Sequence, residues 1–144
     1  MPRYFLWSNF FFSNRGYIDF LKEFMNNPSI HSDEFGLVIM LIKNQKSMPI
    51  PFGIPYDEKS NYTVSVTVTT NVEFGNKKKF DEARYQFDRF VEQCLSLKGR
   101  PYLGGWFSMN QKQKDACYGD DYLHLKKLKK EIDPGNILNP GIWV

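Results

Sequence analysis

The chain has 144 residues, two cysteines, a formal net charge of +3 and a hydrophobic fraction of 42%. That length and apolar content fit one compact domain with a real core. The charge is too small for the basic footprint of a nucleic-acid binder, and two Cys with two distant His do not make a zinc site.

No stretch reaches the roughly 18 apolar residues expected of a membrane span. The apolar N-terminal run is broken by Ser8 and Asn9 and is followed by no small-residue cleavage site. A cytoplasmic protein is therefore expected, with Cys94 and Cys117 as reduced thiols.

Residues 3–12 are dominated by aromatics and predict a first strand. Ser13, Asn14 and Gly16 break it. Over residues 15–26, Tyr17, Ile18, Leu21, Phe24 and Met25 recur at helical spacing, and Asn26-Asn27-Pro28 ends that helix. Residues 36–43, GLVIMLIK, are a short continuous apolar run and predict a buried strand. Pro49, Pro51, Gly53 and Pro55 mark residues 44–61 as a long loop. Residues 62–70 alternate Val64, Val66 and Val68 with polar side chains, a strand with one wet face.

The longest helix is expected over residues 76–97, with Phe80, Ala83, Phe87, Phe90, Val91, Cys94 and Leu95 as its buried stripe. Lys77, Lys78 and Lys79 in its first turn read as a solvated face. Gly99 stops it, and a short strand over residues 100–103 ends at Gly104-Gly105. Two helical segments follow, residues 111–117 and 120–131, with Asp120-Asp121 as helix-start residues. Asp133 before Pro134 reads as a turn former. The order strand, helix, strand, strand, helix, short strand predicts an α+β fold. It is an antiparallel sheet with helices on one face, ferredoxin-like, followed by a helical C-terminal tail.

The sequence shows no self-contained chemistry. It holds no glycine-rich phosphate loop and no nucleophile elbow. His31 and His124 lack an obvious partner.

The last 45 residues carry a resemblance. Pro101-Tyr102-Leu103 with Trp106 comes first, then Tyr118-Gly119 opening a helix with Tyr122, Leu125, Leu128 and Lys129. Ile132-Asp133-Pro134 and Ile137-Leu138-Asn139-Pro140-Gly141 complete it. In that order, at the extreme C-terminus, these pieces resemble the end of FAD-linked oxidases of the vanillyl-alcohol oxidase type, among them cytokinin dehydrogenases and sugar-lactone and alditol oxidases. The match covers about a third of the chain. It implies that residues 1–103 are a partial cap, or substrate, domain and that residues 104–144 are a tail returning to a flavin domain.

The resemblance further implies FAD as cofactor, with Tyr102, Trp106, Asn139 and Ile142 beside it and Arg100 placed for a polar or anionic group of a small-molecule substrate. For Tyr102 and Trp106 the plain alternative is core packing. Cytokinin dehydrogenases tend to have Gln where this chain has Ile142, and lactone oxidases tend to have His where it has Tyr102-Leu103. The family's flavin-binding domain is not in this sequence, so the partner implied is such a domain from another chain or from sequence beyond this one. The expected function is the C-terminal portion of an FAD-dependent oxidoreductase acting on an alcohol or amine, inactive alone. The alternative is a non-catalytic α+β remnant or protein-interaction module.

Overall fold

Strand β1 (Arg3–Phe12) is the spine of the sheet, and its period-two alternation divides its aromatics between two faces. The computed structural model describes residues 2–13, 15–30, 34–43, 54–55 and 60–138. After β1 come α1 (Gly16–Asn26), β2 (Phe35–Lys43), β3 (Tyr62–Glu73), α2 (Lys77–Ser96), β4 (Arg100–Pro101) and α3 (Gln111–Ile132). The four strands form one antiparallel sheet in the order β2-β3-β1-β4. This βαββαβ path with β1 and β3 central is the ferredoxin-like arrangement expected. The chain divides into two compact units between Ser108 and Met109.

In the first unit, Phe10 and Phe12 turn to α1, where their rings lie 5.1 and 5.4 Å from Phe20. Phe20 and Phe24 meet Phe90 of α2 at 6.1 and 5.5 Å. Val64, Val66 and Val68 of β3, with Ala83, Phe87, Val91 and Cys94 of α2, complete this core. Burying one such side chain is worth about 1.5–3 kcal/mol, so the aromatic ladder between sheet and helices dominates the unit's stability.

Helix α2 begins where the Asn76 side chain accepts the Lys79 N–H at 3.1 Å. It ends at Leu97. Lys98 then takes a left-handed φ of 58°, and the Gly99 N–H closes on the Cys94 carbonyl at 2.8 Å. Glycine is required at position 99 for space. A Cβ there would lie 2.5 Å from the Phe12 ring and 2.6 Å from Cys94 Sγ.

Three expectations are corrected. The face of β3 expected to be wet is not: Thr63 and Ser65 are fully buried, and Thr67 and Thr69 are half-buried. Residues 36–43 form a strand, but not a buried one: β2 is the outer strand, and Val38, Ile39, Met40 and Leu41 are 46–72% exposed. Its first residue, Phe35, packs on the Phe87 and Phe90 rings of α2 at 6.3 Å. Along α1 the buried residues are Phe20 and Phe24, an i, i+4 pair, while Met25 is exposed. The helix is rotated from the expected stripe because Phe20 is the ring that meets both sheet phenylalanines.

In the second unit, α3 opens with a reciprocal cap. Asn110 accepts the Gln113 N–H at 2.9 Å, and the Gln113 side chain accepts the Asn110 N–H at 2.8 Å. Gly119, at φ 54° and ψ −136°, breaks the helical path between the two segments expected from sequence. Tyr118 and Tyr122 are buried, their rings 6.4 Å apart.

Candidate functional site

The face of the sheet turned away from α1 and α2 can be read from the register. Phe5, Trp7, Asn9 and Phe11 of β1 stand opposite Asn71, Thr69, Thr67 and Ser65 of β3. Val38 and Met40 of β2 continue the row beyond Thr67 and Ser65. On the other side Arg100 stands opposite Phe11. The Tyr102 N–H binds the Asn9 carbonyl at 2.7 Å, which brings the Tyr102 ring onto the same face. That ring lies 6.1 Å from Trp7 and 6.1 Å, edge-on, from Phe11.

The result is an aromatic wall with a polar strip beside it. The wall is Trp7, Phe11 and Tyr102. In the strip, the buried Ser65 hydroxyl donates to Asn9 Oδ1 at 2.9 Å, next to Thr67 and Thr69. Tyr102 remains 40% exposed. Phe11 at 7% and Ser65 at 0% are buried, so what this face offers a flat, partly apolar ligand is the Tyr102 ring with the half-buried Trp7 beside it.

Trp106 goes elsewhere. Its backbone N–H binds the Trp7 carbonyl at 2.7 Å, and its own carbonyl accepts the Ser8 hydroxyl at 2.7 Å. Its indole N–H donates to Asp88 at 3.0 Å, and the Arg84 guanidinium lies 5.1 Å from the centre of the ring. Asp88 and Arg84 are one turn apart on α2. Trp106 therefore fastens residues 102–106 along the β1 edge, a packing role that the sequence reading held as its alternative. Of the residues singled out from the sequence, Arg100 and Tyr102 share one face and Trp106 turns to α2. Asn139 and Ile142 lie outside the described residues, as does His31.

Trp7, Phe11 and the Asn9–Ser65 pair were not singled out from the sequence. The signal was available: in β1 the odd-numbered positions alternate with the residues that pack on the helices.

The tail has its own organised turn. Asp133 follows α3, and its carboxylate accepts the N–H groups of Ile137 and Leu138 at 2.9 and 2.8 Å. The Lys129 ammonium donates to the same carboxylate and to the Leu138 carbonyl. Lys129 foremost, then the Ile137 and Leu138 amides against the opposing effect of desolvation, lowers the Asp133 carboxyl from 3.8 to about 2. Asn136 supplies the left-handed residue of the turn, φ 50°. The turn presents Ile137 and Leu138 outward, 80% and 63% exposed. On α3, burial and then the nearby Asp115 raise the Tyr122 hydroxyl above its ordinary value.

Among the described residues no group of His, Cys, Asp and Glu is placed to hold a metal ion, and no helix is long and apolar enough to cross a membrane. Comparison with protein-family models and with curated proteins gives no match to this chain.

Proposed function

We propose that this chain is the substrate-side cap and tail of an FAD-dependent oxidoreductase, working with a flavin-binding domain from another chain or from sequence beyond these residues. The observation that carries the reading is the tail turn. Asp133, Lys129 and the two captured amides hold residues 133–138 in a fixed course, and that course exposes Ile137 and Leu138. A rigid turn that displays two large apolar side chains is the form of a docking element. The turn falls on the residues that carry the resemblance to the C-terminal end of FAD-linked oxidases.

The sheet face supports the same reading. The exposed Tyr102 ring and the half-buried Trp7, backed by the buried Phe11, fit one side of a flat ring system, whereas the sequence offers no glycine-rich loop for a pyrophosphate. The fit is to the ring end of the cofactor and to the substrate. When bound, FAD supplies hydride acceptance from an alcohol or amine carbon. This chain's residues would do the rest: the aromatic wall excludes water, Arg100 engages a polar or anionic substrate group, and the half-buried Asn9, held by the buried Ser65 hydroxyl, orients a hydroxyl or amine. Trp106 positions Tyr102 by anchoring the segment that follows it.

The test has two arms. The tagged chain is purified under native conditions from its own cells and the eluate is scanned for flavin absorbance. Separately, the purified chain is titrated with FAD and the flavin fluorescence followed. Flavin co-purifying on a second chain, or saturable quenching that weakens in Tyr102→Ala, is the expected result. Neither flavin in the eluate nor quenching by the chain would sink the reading.

A second reading, a protein-interaction module, is favoured by one observation, the exposed apolar strand β2.

A further inference from the structure

The two edges of the sheet are finished differently. The β4 edge is short and blunt. It has two paired residues, one of them Pro101, which has no N–H to offer, and one charged, Arg100. Beyond that pair, the Asn9 and Trp7 carbonyls of the β1 edge take the Tyr102 and Trp106 amides. The β2 edge has none of these protections. From Gly36 to Ile42 it runs seven residues without a charge or a proline, and its middle four side chains are 46–72% exposed. Among the described residues, nothing pairs with its outer side.

We propose that β2 is the seam of a two-fold dimer, in which β2 of a second copy adds antiparallel to it and makes one eight-stranded sheet. The sequence of β2 fits itself under that operation. With the axis at Ile39, Leu37 stands opposite Leu41 of the second copy and Val38 opposite Met40. Ile39 stands opposite itself, each pair on one face of the sheet.

The charges agree as well. The one charged residue of β2, Lys43, falls opposite Phe35 of the second copy, beside its Glu34. Glu34 is a partly exposed carboxylate already paired with Lys79 at 2.7 Å. A parallel addition would instead set Lys43 beside Lys43. Because the other edge is blunted, growth stops at two copies; an open edge on each side would give a fibre. The inference stands apart from the flavin reading, which concerns the tail and the opposite part of the sheet.

The oligomeric state is read first, by light scattering on the eluting chain at micromolar concentration. The expected mass is twice that of one chain, falling to a single chain in Ile39→Lys, with the far-UV spectrum checking the fold. The second measurement does not depend on that variant folding. In a Cys117→Ser background, Ile39→Cys and Leu41→Cys are oxidised mildly. Across the axis the two Ile39 Cα atoms would sit about 4.5–5.5 Å apart, inside disulfide range. The two Leu41 positions would be offset by roughly 14 Å along the strands.

Ile39→Cys should therefore cross-link faster, although Leu41 is the more exposed, 72% against 49%. A wild-type chain that stays single overturns the proposal, whichever other chain then covers β2. So does equal or faster cross-linking at Leu41, which would indicate random encounter, or mass growing past two copies.

Discussion

Asp133 was legible as a turn former from the Asp-Pro pair alone, but its anchor was not. Lys129 can be named only once α3 is known to end at Ile132, which puts the lysine one turn before the carboxylate it holds. The consequence is a local pH dependence with a definite sign. The folded carboxyl titrates at about 2, below its ordinary 3.8. Folding therefore favours the ionised form, and the stabilisation of the turn is complete above an unfolded value near 3.8. It is lost as pH falls through about 2. The Ile137 and Leu138 amide signals should follow that titration in an NMR series while Val66 in the sheet does not. Asp133→Asn should abolish the titration and speed hydrogen exchange at both amides. An unchanged exchange rate would show that the turn holds without the carboxylate. At the sheet face the limit on reading was similar. Alternation along β1 puts Trp7 and Phe11 on one face, and only the pairing beside β1 brings Tyr102, named from the resemblance, onto it.

At the scale of elements, composition and periodicity placed the strands and helices of the described residues and mis-set three of their environments. An apolar run such as GLVIMLIK says that a strand forms, not where it lies in the sheet. Position depends on strand order, and order depends on which strands the two crossover helices leave at the rim. In α1 the mixture of apolar residues on two adjoining faces, Phe20 and Phe24 against Tyr17 and Leu21, left the rotation about the helix axis open. The Phe10–Phe12 pair on β1 closes that choice, since both rings lie against Phe20. Phe20→Ala should therefore cost about 3–5 kcal/mol in urea unfolding, as for a buried aromatic whose site cannot collapse. Met25→Ala, on the exposed side of the same helix, should change stability by less than about 0.5 kcal/mol. Similar losses at the two positions would mean that the helix is rotated from the orientation described.

At the scale of the whole molecule, the α+β class followed from element order, because a βαββαβ order has few right-handed, unknotted solutions. What element order leaves undetermined is how the two compact units share the work. The four strands, α1 and α2 all fall before Ser108, together with the aromatic core and the β2 edge. The Asp133 turn and the exposed Ile137 and Leu138 fall after it. A chain ended at Ser108 therefore separates the two proposals. It keeps every element of the sheet, so it should fold with a cooperative transition and still elute as two copies. It lacks the tail, so any flavin-bearing partner captured by the full chain should be lost. A chain ended at Ser108 that retains the flavin would move the docking role from the tail to the Trp7–Phe11–Tyr102 face. One that folds yet elutes as a single chain would place the dimer contact in residues 109–144 and remove β2 as the seam.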